Sequence, residues 1–138
     1  MRKTYSIIIE TPKGSRIKRN EKGGVDFISP FPCPFNYGRV EGKMGADGDP
    51  LDAIVLAEIL PYNAHVQVPI IGVALFIDKG LEDNKYIFSA RSPTQEEKDE
   101  LNHFFSRYAR IKNLLSLSFL RHCPTVFSGL EWKEIDLK

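Results

Sequence analysis

The chain has 138 residues, with 19 Lys and Arg against 18 Asp and Glu, for a formal net charge of +1. That length suits one domain spanning residues 1–138, able to bury roughly two-thirds of its unfolded surface without disulfides or a structural metal. The apolar and charged fractions are those of a globular protein and exclude disorder, and the near-zero charge excludes a long-range pull towards nucleic acid or an anionic membrane.

No run reaches the roughly 18 apolar residues of a membrane span. The apolar stretch behind Arg2 and Lys3 runs only from Ile7 to Ile9, too short for a signal-peptide core. Cys33 sits between Pro32 and Pro34, and neither it nor Cys123 has a metal-ligand partner at short spacing. Two reduced thiols in a cytoplasmic protein are therefore expected.

In chain order, Thr4 to Glu10 is rich in β-branched and aromatic residues and predicts a strand. Pro12 and Gly14 break it, and Ser15 to Arg19 begins a second. Glu21 to Gly24 reads as a hairpin turn, after which Val25, Phe27 and Phe31 continue as extended chain. Three prolines between Pro30 and Tyr37 exclude a helix there. Ala53 to Leu60 and Val66 to Ile77 are apolar runs rich in Val and Ile, and predict buried strands; Asn84 to Ala90 predicts another. Strands this closely spaced predict a small closed barrel, which leaves no unpaired edge.

A helix follows. Ser92 suits the N-cap, Pro93 the first helical position and Gln95 the capping box. Glu96, Glu97, Asp99 and Glu100 suit the positive end of its dipole. Leu101, Phe104, Phe105 and Tyr108 form its apolar stripe. Leu114 to Leu120 and the residues beyond, broken by Pro124 and Gly129, are left unassigned.

The segment richest in chemistry is Gly45-Ala46-Asp47-Gly48-Asp49-Pro50-Leu51-Asp52. Alone, its Asp-Gly and Asp-Pro pairs fit a surface turn equally well. An EF-hand fits poorly, because no Glu closes the loop and Gly48 and Pro50 stand where other residues are needed. A second acidic group, Asp78 with Glu82 and Asp83, follows the strand ending at Ile77, with Lys85 next. If both groups meet at one barrel rim, each carboxylate pair about 4 Å apart repels by about 4 kcal/mol at an effective dielectric near 20. Such a cluster needs a counterion, and all-oxygen ligands without His or Cys favour Mg²⁺ or Mn²⁺ over zinc.

These residues resemble the soluble, magnesium-dependent (family I) inorganic pyrophosphatases. Asp47-Gly48-Asp49-Pro50-Leu51-Asp52-Ala53 fits that family's signature, and the likeness continues through Ile9 to Arg16, Lys18, Pro34-Phe35-Asn36-Tyr37-Gly38, Pro69 to Val73, Asp78, Asp83, Lys85, and His103-Phe104-Phe105 with Tyr108. It covers roughly residues 4 to 110 in order. The resemblance implies a mainly β (α+β) fold, a five-stranded OB-type barrel with a C-terminal helix packed on it. It implies Mg²⁺, with Mn²⁺ as a substitute, held by Asp47, Asp52, Asp78 and Asp83, with Glu10 close by and reaching metal through water. Asp49 is then the acceptor of the proton from the attacking water. Lys18 and Tyr37 would grip the phosphate under attack, Tyr108 the leaving one, and Lys85 would set the charge state of the metal carboxylates. Pyrophosphate is the implied substrate and a homo-oligomer the implied assembly, with no nucleic-acid or membrane partner.

Four polar groups of the family pattern are missing: Asn20 stands for Glu, Phe27 for Arg, Cys33 for Tyr and Ala109 for Lys. The lost Arg and Lys both belong to the subsite for the leaving phosphate. Three readings follow. Arg39, Arg107 or Arg110 substitutes; the substrate is another, nucleotide-type phosphoanhydride; or the chain is a catalytically weak relative that binds Mg²⁺ or a phosphorylated ligand. A single-strand nucleic-acid function, common in OB-type barrels, ranks last because an acidic rim repels phosphate.

Overall fold

The computed structural model describes residues 2–19, 22–28, 32–115 and 124–137; the side chains of Lys18, Asp26, Phe27 and Leu115 lie outside that description. The expectations resting on Asn20, Phe31, Cys123 and the run from 116 to 120 likewise fall outside it. The strands are β1 (Thr4–Thr11), β2 (Ile17–Arg19), β3 (Val25–Ile28), β4 (Asn36–Met44), β5 (Pro50–Val55), β6 (His65–Asp78), β7 (Leu81–Glu82), β8 (Lys85–Phe88) and β9 (Val126–Glu131). One helix, α1 (Gln95–Leu115), stands between β8 and β9.

Five strands close a barrel in the order β1-β4-β5-β8-β6, with β6 pairing back onto β1. Among the described residues only β5 and β8 pair in parallel. The 14-residue β6 closes the ring because its first half pairs with β1 and its second with β8, β9 and β7. Alternation sorts the side chains into two cores. Tyr5, Ile7, Ile9, Val40, Ala53, Val55 and Phe88 fill one, while Ile54, Ile87, Ala74 and Phe76 face α1. There Phe76 meets Phe105 edge-to-face at 5.3 Å, and Phe35 meets Phe104 at 4.9 Å. The expected stripe is the buried one: Leu101 and Phe105 are almost wholly enclosed, with Phe104 and Tyr108 packed alongside.

One close approach fixes the β1–β4 seam. A Cβ on Gly38 would stand 2.0 Å from the Ile8 carbonyl oxygen, a backbone atom that cannot move aside. Gly38→Ala is expected to cost about 3 kcal/mol or more, the upper end for overpacking, read from the urea midpoint.

Two expectations are corrected, and one unassigned stretch is filled. The strand predicted to reach Leu60 ends at Val55. Beyond it the Asn36 amide captures the chain, donating to Glu58 O (2.9 Å) and accepting from Leu60 N (3.0 Å), so an apolar run leaves the sheet. The helix begins later than Ser92 and Pro93 imply. Thr94 is the cap: its hydroxyl accepts from Glu97 N (3.1 Å), while Glu97 Oε1 accepts from Thr94 N (2.9 Å). Gln95 bonds Asp99 instead. Arg91 grips Glu97 through both guanidinium nitrogens, at 2.7 and 2.9 Å, which selects this cap over the earlier one. Finally, β9 occupies residues that the sequence left unassigned.

Arg91 is the main reason that the Glu97 carboxyl is held down at about 2, despite an opposing contribution from partial burial. Its stabilising effect is present above the ordinary carboxyl range and fades as pH falls towards 2. Thr94→Ala is expected to cost about 1 kcal/mol by thermal or urea melting, and Ser92→Ala a few tenths or less.

Candidate active site

The site arises where the helix-facing side of the barrel runs out from under α1. Tyr37, Ile54 and Ile87 lie on that side, beneath the helix. Two residues back along β5 and β8, and two on along β4, the same side carries Asp52, Lys85 and Arg39. Asp52 is the register partner of both Arg39 and Lys85, so negative and positive side chains alternate across three neighbouring strands.

Lys85 is almost fully enclosed and donates to Asp52 Oδ2 (2.7 Å) and Asp83 Oδ2 (3.0 Å). Its Nζ also lies 5.4 Å from the centre of the Phe76 ring. Burial opposes its charge, but Asp52, Tyr108 and Asp83 outweigh that and raise its pKa, so the ammonium persists. Asp83 is pushed up from the usual carboxyl range. Burial is the main cause and the nearby Asp52 charge adds to it, against the pull of Lys85. Tyr37 has its hydroxyl buried beside Asp52. Its pKa is raised well above the ordinary value, by burial first and then by the Asp52 charge, so the hydroxyl stays protonated beside that carboxylate.

The acidic loop between β4 and β5 is shaped by its own carboxylate. Asp47 Oδ1 accepts from Asp49 N (3.0 Å), and Gly48 takes a left-handed φ of 84°. Both carboxyl groups are thereby presented at the rim. The two acidic groups do converge. Glu10, Asp47, Asp49, Asp52, Asp78 and Asp83 all line one open cleft of about 420 Å³, together with Tyr108.

Of the ten residues implied by the resemblance, eight line this cleft. Tyr37 does not; it sits beneath Asp52. The Lys18 side chain lies outside the described residues, although its backbone in β2 precedes Arg19, which lines the cleft. Of the candidate substitutes, Arg39 lines the cleft and donates to Glu10 Oε2 at 2.9 Å. Arg107 and Arg110 lie exposed on α1 and do not line it. Ala109 is buried in the helix-facing core.

Sequence reasoning missed three cations that line the cleft: Arg19, Lys79 and Lys112. Lys112 donates to Asp78 Oδ2 (2.8 Å), and the Thr125 hydroxyl donates to Asp78 Oδ1 (2.9 Å). Burial alone would raise the Asp78 pKa, but these bonds and the Lys112 and Lys79 charges lower it. The signal for Lys112 was its place four residues after Tyr108, on the same helix face.

The counterions that such a cluster needs are therefore supplied in part by the protein itself. Six carboxylates face five lysines and arginines. Among the described residues no three carboxylates are gathered tightly enough to cage an ion as they stand. The donor set nevertheless fits a hard divalent cation, because every acidic ligand offers oxygen and the cleft is open to water. The Asp83 pKa is raised by burial first and by the Asp52 charge after it, and added positive charge would offset both.

A family model described as "Inorganic pyrophosphatase" matches residues 7–120. The inorganic pyrophosphatase of Corynebacterium glutamicum is 34% identical over 127 residues, covering 76% of this chain and 78% of the relative. That of Corynebacterium efficiens is 33% identical over 124 residues, covering 76% and 78%. The solved pyrophosphatase of Helicobacter pylori superposes with a TM-score of 0.76 at 24% identity, over 95% of this chain and 85% of that one, a likeness of fold. With the barrel, the acidic loop and the carboxylate cleft in agreement, the chain belongs to the inorganic pyrophosphatase family.

Proposed function

We propose that this chain hydrolyses inorganic pyrophosphate to two phosphates in the carboxylate cleft, with Mg²⁺ as cofactor and Mn²⁺ able to replace it. The observation that carries the reading is the juxtaposition of Asp49 with Asp47, Asp52, Asp78 and Asp83 around one water-accessible volume. Asp47, Asp52, Asp78 and Asp83 would hold the metal, with Glu10 acting through water. Mg²⁺ bound there lowers the pKa of water and neutralises charge on the phosphoryl oxygens. Asp49, exposed at the rim and fixed by its backbone bond to Asp47, accepts the proton of the attacking water at its carboxylate. Lys85, bonded to Asp52 and Asp83, would help to fix their charge state. Tyr37 sits beside Asp52 and not at the cleft wall, so the expected grip on the phosphate under attack would fall to Lys18. The Tyr108 hydroxyl would meet the phosphate that leaves.

The competing nucleotide-type reading is disfavoured by the lining. Apart from Pro50 and Tyr108, every described residue around the cleft is charged, so a nucleobase finds little to stack on. Phosphate release from pyrophosphate, ADP and ATP at equal Mg²⁺ decides between them. A kcat/KM for pyrophosphate at least about a hundredfold above the nucleotides supports the assignment. Comparable or inverted values overturn it. The same reading places the chain in the cytoplasm as a one-domain subunit of a homo-oligomer. The half-buried Cys33 fits a reducing compartment: burial pushes its thiol up to about 11, away from the reactive range. Among the described residues no helix is long and apolar enough to cross a membrane.

A further inference from the structure

Two lysines at one end of the cleft have no part in the roles above. Lys112 reaches in from α1, one turn beyond Tyr108, and its Nζ lies 5.8 Å from the Tyr108 ring centre. Its bond to Asp78 fixes the ammonium at the wall of the cleft. Lys79 occupies the first central position of the two-residue turn between β6 and β7, at φ 54°, followed by Gly80 at φ 80°. Both central residues of such a turn need positive φ, which suits Gly or Asn and is unfavourable for a side chain like lysine's. A residue kept where its backbone is disfavoured points to a function for its side chain. Lys79 lines the cleft and acts electrostatically on Asp78, the residue that Lys112 holds.

The positions where the family resemblance expects cations for the outgoing phosphate hold Phe27 and Ala109. A longer side chain at 109 would start inside the helix-facing core, since Ala109 is 7% exposed. Moving three residues on brings the cation to the face that already presents Tyr108. We propose that Lys112 and Lys79 together form this chain's subsite for the outgoing phosphate, in place of the cations absent at 27 and 109. The inference rests on the pyrophosphate reading above and deepens it. An ammonium carries three donors, so the bond to Asp78 that positions Lys112 is compatible with another to a phosphate oxygen. Lysines as point charges also accept a small, freely rotating phosphate without the fixed fork of an arginine.

Calorimetric binding of imidodiphosphate, the pyrophosphate analogue with a nitrogen bridge, tests this in Mg²⁺. It is measured for the wild type, Lys112→Met, Lys112→Arg, Lys79→Gly and Arg107→Met, with melting temperatures alongside. Lys112→Met is expected to weaken binding about ten- to a hundredfold, as for a lost charge-assisted bond, with Lys112→Arg restoring most of it. Lys79→Gly is expected to weaken binding about two- to fivefold, as for an exposed charge, while raising the melting temperature because glycine accepts the left-handed φ. Arg107→Met should bind as the wild type does. The proposal is overturned if Lys112→Met and Lys79→Gly bind as tightly as the wild type. It is also overturned if the Lys112→Met loss is not restored by arginine and tracks a fall in melting temperature, the mark of a tether for Asp78 alone. Should the wild type bind the analogue with the expected pattern yet release no phosphate from pyrophosphate, the hydrolysis reading falls and the subsite stands.

Discussion

Asp49→Asn is expected to lower phosphate release from pyrophosphate by about two to four orders of magnitude, the range for losing a general base. Folding should be unaffected. Asp49 is exposed, and its structural links are through its backbone: its N–H donates to Asp47 Oδ1 and its carbonyl accepts from Gly45 N, and both survive the change. Asparagine keeps the shape and suits the same turn, so the acidic loop retains its geometry. The loss should fall on kcat, because Asp49 is not assigned to hold pyrophosphate. Steady-state kinetics at saturating Mg²⁺, with a melting curve for each protein, separates these effects. Near-normal turnover in the variant would move the proton acceptor elsewhere in the cleft. A large rise in KM with kcat unchanged would make Asp49 a binding residue.

The second large effect concerns stability. Lys85→Met removes the ammonium that Asp52 and Asp83 share and leaves those two carboxylates facing each other in a partly enclosed site. Breaking a buried ion pair from one side costs about 3–5 kcal/mol. Urea unfolding at pH 8 in EDTA should show a loss of that order. The sign of the pH dependence follows from Asp83, whose folded pKa is already raised, chiefly by burial. Without Lys85 it rises further, so a proton bound in the folded state relieves the repulsion and the penalty shrinks as pH falls from 8 towards the carboxyl range. Added Mg²⁺ should also reduce the penalty, since a cation at the carboxylates replaces the missing charge. A loss below about 1 kcal/mol, the level of a surface pair, would mean that the carboxylates relax apart and that Lys85 does not organise them.

Much of the architecture was legible because it follows from local composition and spacing. The β-branched run of β1, the apolar run of β6 and the 101–104–105–108 stripe of α1 each mark a buried element within one stretch of chain. The acidic loop was legible for a different reason: its turn chemistry and its carboxylates lie within eight consecutive residues. What escaped depended on partners distant in the chain. Ser92 and Thr94 each begin a plausible capping box, and the choice is made by Arg91 closing on Glu97. The apolar run past Val55 reads as strand until Asn36, some twenty residues earlier, draws it away. β9 is interrupted by Ser128 and Gly129 and owes its place to pairing with β6.

The site was legible to a similar degree. The acidic ligands announced themselves by clustering in sequence, whereas the cations did not. Lys79 and Lys112 are two among 19 Lys and Arg; Lys79 follows Asp78 in the chain, but only the fold brings Lys112 to the same carboxylate. Their presence also changes the electrostatic argument. A cluster of carboxylates needs counterions, and Lys85, Lys112 and Arg39 already pair with Asp52, Asp83, Asp78 and Glu10. Metal is therefore proposed here for its chemistry, and the apoprotein is expected to be folded.

The central claim, metal-dependent hydrolysis of pyrophosphate by this cleft, is tested most directly by phosphate release from pyrophosphate as Mg²⁺ is removed with EDTA and then restored. The account predicts two phosphates per pyrophosphate in Mg²⁺, none in EDTA, and full recovery when Mg²⁺ returns to a protein that stayed folded throughout. Release that persists in EDTA, or no release from folded protein at saturating Mg²⁺, would contradict it.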